Sequence, residues 1–481
     1  MIRGKLLRAL LICFVLIANT LSFTPKLTVS AATDGQAIYV PVVAFPTVAD
    51  NISWTALTDY WHGHPDALPD FQTANKTGPT LIATATTFDM LHSLLGAPAT
   101  NVLTNVVDDD QLAATLWKLR PAALGIVPFG RVVPVEKTLS VDGTNALLPD
   151  ADLSKYPLAI PMVDVPADAT RDLSKLTVLV MTGTTAITRT MAYVMEHYGL
   201  TLPAADVLPF LADADFIHTS NELAFATDCP YPDPEYRAEG LVFCSRDKYF
   251  DLLKAIHLNI VELTGNHVND WGTDAFSHTL DLYDQAHIAT FGGGRTAESA
   301  RAPLIIQHNG TTIALIGCNM AGPSIDWATD TLPGSAACDD DYLAQEIPKL
   351  KAAHDLVIMT IQYLEYDSYS ATSVEIEFFQ KYADLGADVV FGSQAHHPQG
   401  FGFGKGLGGA FIDYGTGNMF FDQMNNYEVR QMRMDKLIIY DGRLLGTLFF
   451  TGLREDYSHT PAMTARARAQ FLTSLFKASG W

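Results

Sequence analysis

Between residues 174 and 455 the chain repeats one construction: a short apolar run, a polar cluster where the run stops, then a stretch of helical spacing. The runs are "LTVLVMTG", "NIVELTG", "PLIIQHNGTTIALIGCN", "HDLVIMTIQYLEY", "ADVVFGS", "AFIDYGTGN" and "KLIIYDGRLLGTLFF". These apolar runs read as strands. "ITRTMAYVMEHYG", residues 273–285 and "VEIEFFQKYADLG" carry helical spacing, and two of the three stop at a glycine. Asn309-Gly310 and Asp441-Gly442 each sit between apolar runs, where Asn-Gly and Asp-Gly favour a tight hairpin. Strand–helix alternation with two hairpins predicts an α/β fold of mixed sheets with helices outside, rather than a simple doubly wound sheet.

The amino end reads differently. Arg3, Lys5 and Arg8 precede an apolar stretch from Ala9 to about Phe23, and Val29-Ser30-Ala31 supplies small residues for cleavage. Residues 1–31 are therefore expected to be a secretory signal peptide. No other segment reaches about 18 uninterrupted apolar residues, so no integral membrane segment is expected in the exported chain. The signal holds four of the 31 basic residues and none of the 53 acidic ones, so formal charge moves from −22 to −26 on its removal. That field repels nucleic acid and anionic lipid, and excludes them as partners. Cys229, Cys244, Cys318 and Cys338 remain. In an oxidising compartment an even count favours disulfides over thiol catalysis or zinc. Of the three pairings, 229–244 with 318–338 asks least of the chain; four buried free thiols are the alternative.

Residues 35–170 are rich in Ala, Thr, Pro and Leu. "ISWTALTDYWHG", "ALGIVPFG" and "YPLAIP" resemble segments of phosphate-type periplasmic binding proteins, which implies a partial solute-binding-like α/β lobe; a plain α/β spacer is the alternative. Residues 456–481 are expected to form a helical tail.

The polar clusters close the apolar runs in order: Gly183-Thr184; Ser220-Asn221-Glu222; Asn266-His267 with Asp270; Gln362 with Glu365; Gln394 with His396-His397; Asn418 with Asp422. A lone Gly265-Asn266-His267 would be an ordinary strand-to-helix turn. Recurrence at strand end after strand end points instead to a site, because a sheet fixes distances while loops admit substrate. Mixed carboxylate, imidazole and amide oxygens suit Mn, Fe or Zn.

Five blocks carry a more specific resemblance. "VELTGNHVNDWG", "TFGGGRTAESARAP", "LVIMTIQYLEY", "GADVVFGSQAHHPQGF" and "IDYGTGNMFFDQ", in that order over residues 174–455, resemble the CapA family of poly-γ-glutamate capsule proteins, in the calcineurin-like metallophosphatase superfamily. The resemblance implies a metallophosphatase-like layered β-sandwich flanked by helices, preceded here by the smaller lobe. It implies His267, Glu365 and Asn266 as catalytic residues and Glu222, Asn266 and His396 as ligands of a divalent ion. Arg189, Gln362, Gln394, His397 and Asn418 would contact substrate.

The departures are as informative. Thr184 stands where the family has a bridging acid, and Gln362 and Gln394 stand where it has imidazoles. A tight two-metal centre is not expected; one weakly held Mn, Fe or Zn ion, or none, is. The expected role is an exported protein that makes or processes poly-γ-glutamate or a related surface polymer, by metal-dependent hydrolysis or transfer at an amide or phosphoester if it is an enzyme. The alternative is a non-catalytic extracellular protein binding a polymer or solute. A polyanionic substrate would need a local basic patch, for which Arg189, Arg295 and Lys405 are the candidates.

Overall fold

The computed structural model describes residues 35–73, 75–161, 166–233 and 241–481. The expected signal peptide, residues 1–31, lies outside the described residues. No helix among those described is long and apolar enough to cross a membrane.

Residues 176–453 build two sheets laid face to face. The first runs in the order Ala289–Phe291, Ile260–Glu262, Phe216–Asn221, Leu176–Thr182, Gln431–Tyr440, Arg443–Leu453; its first four strands are parallel, and the last two form the hairpin expected at Asp441-Gly442. The second runs Leu304–His308, Thr311–Asn319, Leu356–Gln362, Val389–Ser393, Phe411–Asp413, Phe401–Phe403, with the Asn309-Gly310 hairpin at one edge and a parallel centre.

The continuous apolar runs are explained by what covers each face. Phe216 and Ile260 of the first sheet meet Ile313, Leu315, Ile358 and Phe391 of the second in a shared core. Their neighbours Ile217 and Val261 face outward, onto Met191 and Met195 of helix Arg189–Tyr198 and Phe276 and Leu280 of helix Thr273–Gln285. Ala314, Ile316, Val357 and Met359 likewise face Leu343 and Ile347 of helix Asp340–Ala353 and Phe379 and Tyr382 of helix Ser373–Leu385. The result is the layered β-sandwich flanked by helices, in which both faces of each strand are buried and period-two alternation has no reason to appear.

Two elements differ from the sequence expectation. Helix Asp340–Ala353 was not anticipated; it starts at Asp339, whose side chain accepts from Tyr342 N, and it tolerates Pro348 inside. "AFIDYGTGN" is two strands, not one. Phe411–Asp413 belongs to the second sheet, whereas Asn418–Phe420 pairs with Thr184-Thr185 beside the first. The chain crosses between the sheets at Gly415-Thr416-Gly417, with Gly417 at φ +81°, a conformation glycine adopts without strain.

Residues 36–161 form a separate mixed sheet, ordered Thr104–Val106, Thr80–Ala83, Ala123–Pro128, Gln36–Ala44, Glu136–Thr138, with helices Trp54–Trp61, Ala85–Leu95 and Asp109–Leu119. Residues Ala465–Ala478 form the C-terminal helix.

Candidate functional site

Parallel strands bring their carboxyl ends to one edge, and loops leaving that edge make the natural crevice. Glu222 follows strand Phe216–Asn221, Gly265-Asn266-His267 follows Ile260–Glu262, Gln362 ends Leu356–Gln362, and Gln394 follows Val389–Ser393. Gln362 lies in register with both Asn319 and Ser393 on its neighbouring strands.

The structure brings four of these residues into hydrogen-bonding contact across the two sheets. Gln362 Nε2 donates to Glu222 Oε1 at 2.9 Å and lies 3.2 Å from Asn266 Oδ1, and it also contacts Gln394 Oε1. Gln362 Oε1 accepts from Ser393 Oγ at 2.8 Å; the same hydroxyl is 2.8 Å from Glu262 Oε1. Glu222, Gln362 and Gln394 are buried, and Asn266 is half-buried. Gln394 adopts φ +79°, an unusual backbone for a side-chain-bearing residue. Gly265 allows the close approach of two sheet-edge loops, since a Cβ there would stand 2.6 Å from Glu222 Cα.

His267 is held by Asp270, whose Oδ2 is 2.8 Å from Nδ1 and also accepts from Phe243 N at 2.8 Å. With Nδ1 facing a carboxylate, the proton sits on Nδ1 and Nε2 is the nitrogen left for chemistry. Burial pulls the His267 pKa down, but the Asp270 hydrogen bond and the charges of Glu222, Asp270 and Asp326 outweigh it and leave it raised. His396 is buried, with Nδ1 2.7 Å from Asn418 Oδ1, and Asn418 in turn donates to Gln423.

Arg189 joins the two histidines. Its guanidinium lies 4.9 Å from the ring centres of both Phe243 and Phe421. Phe243 packs on His267 and Phe421 on His396, each with ring centres 5.0 Å apart. Its ionic partner is Asp422, through Nε at 3.0 Å. Of the other cations considered for a basic patch, Arg295 pairs with Asp281 at 2.5 Å and Lys405 lies 3.9 Å from Asp384, so neither forms one here.

Two of the expected residues stand apart from this set. Glu365 is exposed and stands outside the hydrogen-bonded set, because its strand ends at Gln362 and the next three residues carry it into a surface loop. His397 is buried away from that set, with Nδ1 2.9 Å from Pro398 O and its ring against Tyr369. Sequence reading missed Asn319, which donates to Gly265 O at 3.1 Å and accepts from Gly322 N. Its position closing the run "IALIGCN" was the available signal. It also missed Arg454, a buried guanidinium that donates to the carbonyls of Asn418, Met419 and Phe421 and so holds the crossing strand. Asp326, buried beside Asn269, had no local signal at all.

The donor set does not fit a tightly held metal pair. Glu222 and Asn266 both face the Gln362 amide nitrogen. Among the described residues no group of three or more His, Cys, Asp or Glu is placed to hold one ion.

The family described as Bacterial capsule synthesis protein PGA_cap matches residues 178–423, just over half of the chain. The "Capsule biosynthesis protein CapA" of Bacillus anthracis is 24% identical over 258 residues, covering 53% of this chain and 61% of that protein. The "PGA biosynthesis protein CapA" of Bacillus subtilis is 26% identical over 174 residues, 36% of this chain and 45% of its own. The chain thus spans less than two thirds of the length of either relative. Among solved structures, the NAD nucleotidase of Haemophilus influenzae is similar over 63% of this chain and 56% of its own, with 12% identity and a TM-score of 0.35. Five sequence blocks in order, three of which supply Asn266, Gln362 and Gln394 to the pocket, agree with the matched span, and the chain belongs to the PGA_cap family of bacterial capsule synthesis proteins.

Proposed function

We propose that this protein acts outside the cytoplasm in making or processing poly-γ-glutamate or a related surface polymer, and that the Glu222–Asn266–Gln362–Gln394 pocket with His267 is where the polymer is engaged. The observation that carries the reading is the convergence of those four side chains from both sheets beside a histidine with a raised pKa. His267, oriented by Asp270, would give or take a proton at Nε2, and Asn266 would hold a substrate amide or hydroxyl. The two disulfides and the basic-then-apolar leader support export. The N-terminal lobe would present a solute or polymer segment.

A second reading, polymer binding without catalysis, is favoured by one observation. The amides of the pocket bond one another, and Glu365 is not among them.

Deleting the gene in its native host and weighing cell-associated polymer tests the role. Loss of polymer, restored by the wild-type chain and not by His267→Ala, supports catalysis; restoration by both supports binding alone. Unchanged polymer in the deletion strain overturns the capsule role. The exported form should begin near Ala32 by N-terminal sequencing, and a cell-internal form starting at Met1 as the sole species would contradict export.

A further inference from the structure

The middle of the pocket holds an amide nitrogen ringed by oxygens. Gln362 Nε2 faces a carboxylate, Glu222 Oε1 at 2.9 Å, and two amide oxygens, Asn266 Oδ1 at 3.2 Å and Gln394 Oε1. Three acceptors around a group with two protons is more acceptor than one NH2 can satisfy. Such a surplus of oxygens is what a cation would ordinarily gather.

The orientation of that amide is dictated rather than free. Ser393 Oγ, 2.8 Å away, occupies Oε1 and is itself bordered by Glu262, whose Oε1 also accepts from Thr264. Turning the amide over would set its oxygen against three others. Gln362, Ser393 and Glu262 are buried.

We infer that the Gln362 amide nitrogen takes the place of a cation, so that this pocket is closed by an internal donor and works without a divalent metal, and that one atom separates it from a metal site. Replacing Gln362 by Glu exchanges that NH2 for an oxygen. Two carboxylates and two amide oxygens then face a common point, a hard-oxygen set suited to Mn²⁺ or Mg²⁺. Without an ion the same four oxygens repel. That the pocket works without a metal rests on its being the functional site; the chemistry of the substitution does not.

The full chain and its Gln362→Glu variant are stripped with EDTA, then titrated with Mn²⁺ while thermal midpoint and bound metal are followed. The wild type is expected to show the same midpoint in EDTA and in Mn²⁺. The variant is expected to melt lower in EDTA, to recover in Mn²⁺, and to bind one ion at least about tenfold tighter than the wild type, the smallest gain expected from a second buried charge. A wild type that binds an ion stoichiometrically at micromolar Mn²⁺ overturns the inference, and so does a variant that gains no affinity. Should the variant fold only in Mn²⁺, that dependence is itself the expected result; should it fold in neither, the wild-type titration decides. None of these outcomes depends on the polymer phenotype, so the capsule role and this inference fail separately.

Discussion

Asp326 shows what a single buried carboxyl does beside a charged pair. It is fully buried, its Oδ1 accepts from Asn269 N at 2.8 Å, and its Oδ2 has no partner. Burial, and after it the negative charge of Asp270, push its pKa up to about 7, against the Asn269 hydrogen bond and the pull of His267. In the unfolded chain the same group titrates near about 3.9. Between those values the folded state keeps a proton that the unfolded state has released, so this group lowers stability as pH rises, by about 1.4 kcal/mol per unit until the upper value is passed. Asp326→Asn removes the slope. Urea midpoints at pH 5 and pH 8 should show the variant gaining on the wild type with rising pH; parallel curves would mean that Asp326 is ionised in the folded protein at pH 5. His267 runs the same way. Its raised pKa makes the pairing with Asp270 fully present below the unfolded histidine value and lost as pH rises through the folded one.

Loops and their tethers decide how firmly that histidine is held. The bridge Cys229–Cys244 closes a loop of 15 residues with Cα atoms 5.9 Å apart, and Cys318–Cys338 closes one of 20 at 4.9 Å, both as the local pairing anticipated. Cys244 directly follows Phe243, whose amide donates to Asp270 and whose ring separates His267 from Arg189. Replacing Cys229 and Cys244 by serine should cost about 3 kcal/mol through the freed unfolded chain. It should also loosen Phe243. Chemical denaturation gives the first effect, and an NMR titration of His267 gives the second as a downward shift of its pKa. An unshifted histidine would mean that Asp270 holds the ring without help from the bridge.

The lobe, the sandwich and the tail share one core. Ile38, Val42, Leu81 and Leu124 of the lobe belong to the same buried cluster as Leu437, Ile439 and Leu444 of the sandwich and Phe471 and Leu475 of the last helix. Phe45 packs edge-on against Phe401, Phe403 and Phe449 of the sandwich, and Arg443 donates to Val132 O at 2.9 Å. The composition change near residue 170 therefore marks a change of sheet without marking independent stability. A chain beginning at residue 174 would expose the apolar face the lobe covers. It should elute as aggregate in size-exclusion chromatography, or melt well below the full chain. A monomer with the full chain's midpoint would show that the lobe is a free-standing unit.

Periodicity and turn chemistry act over a few residues, which is why the seven apolar runs, three flanking helices and the C-terminal one, both hairpins, the local disulfide pairing and the five family blocks could be read from the sequence. Strand ends likewise foretold that Glu222, Asn266, Gln362 and Gln394 would meet. What they could not foretell is which atom faces which. Asn266 and Glu222 reach Gln362 across 96 and 140 positions of chain. Arg189 found Asp422, 233 positions away. Glu365 left the pocket because its strand stopped three residues short of it. Side-chain direction, burial and protonation depend on such distant partners, and no local pattern records them. Tertiary structure alone turned the Gln362 nitrogen inward and brought Asp326 to the foot of His267.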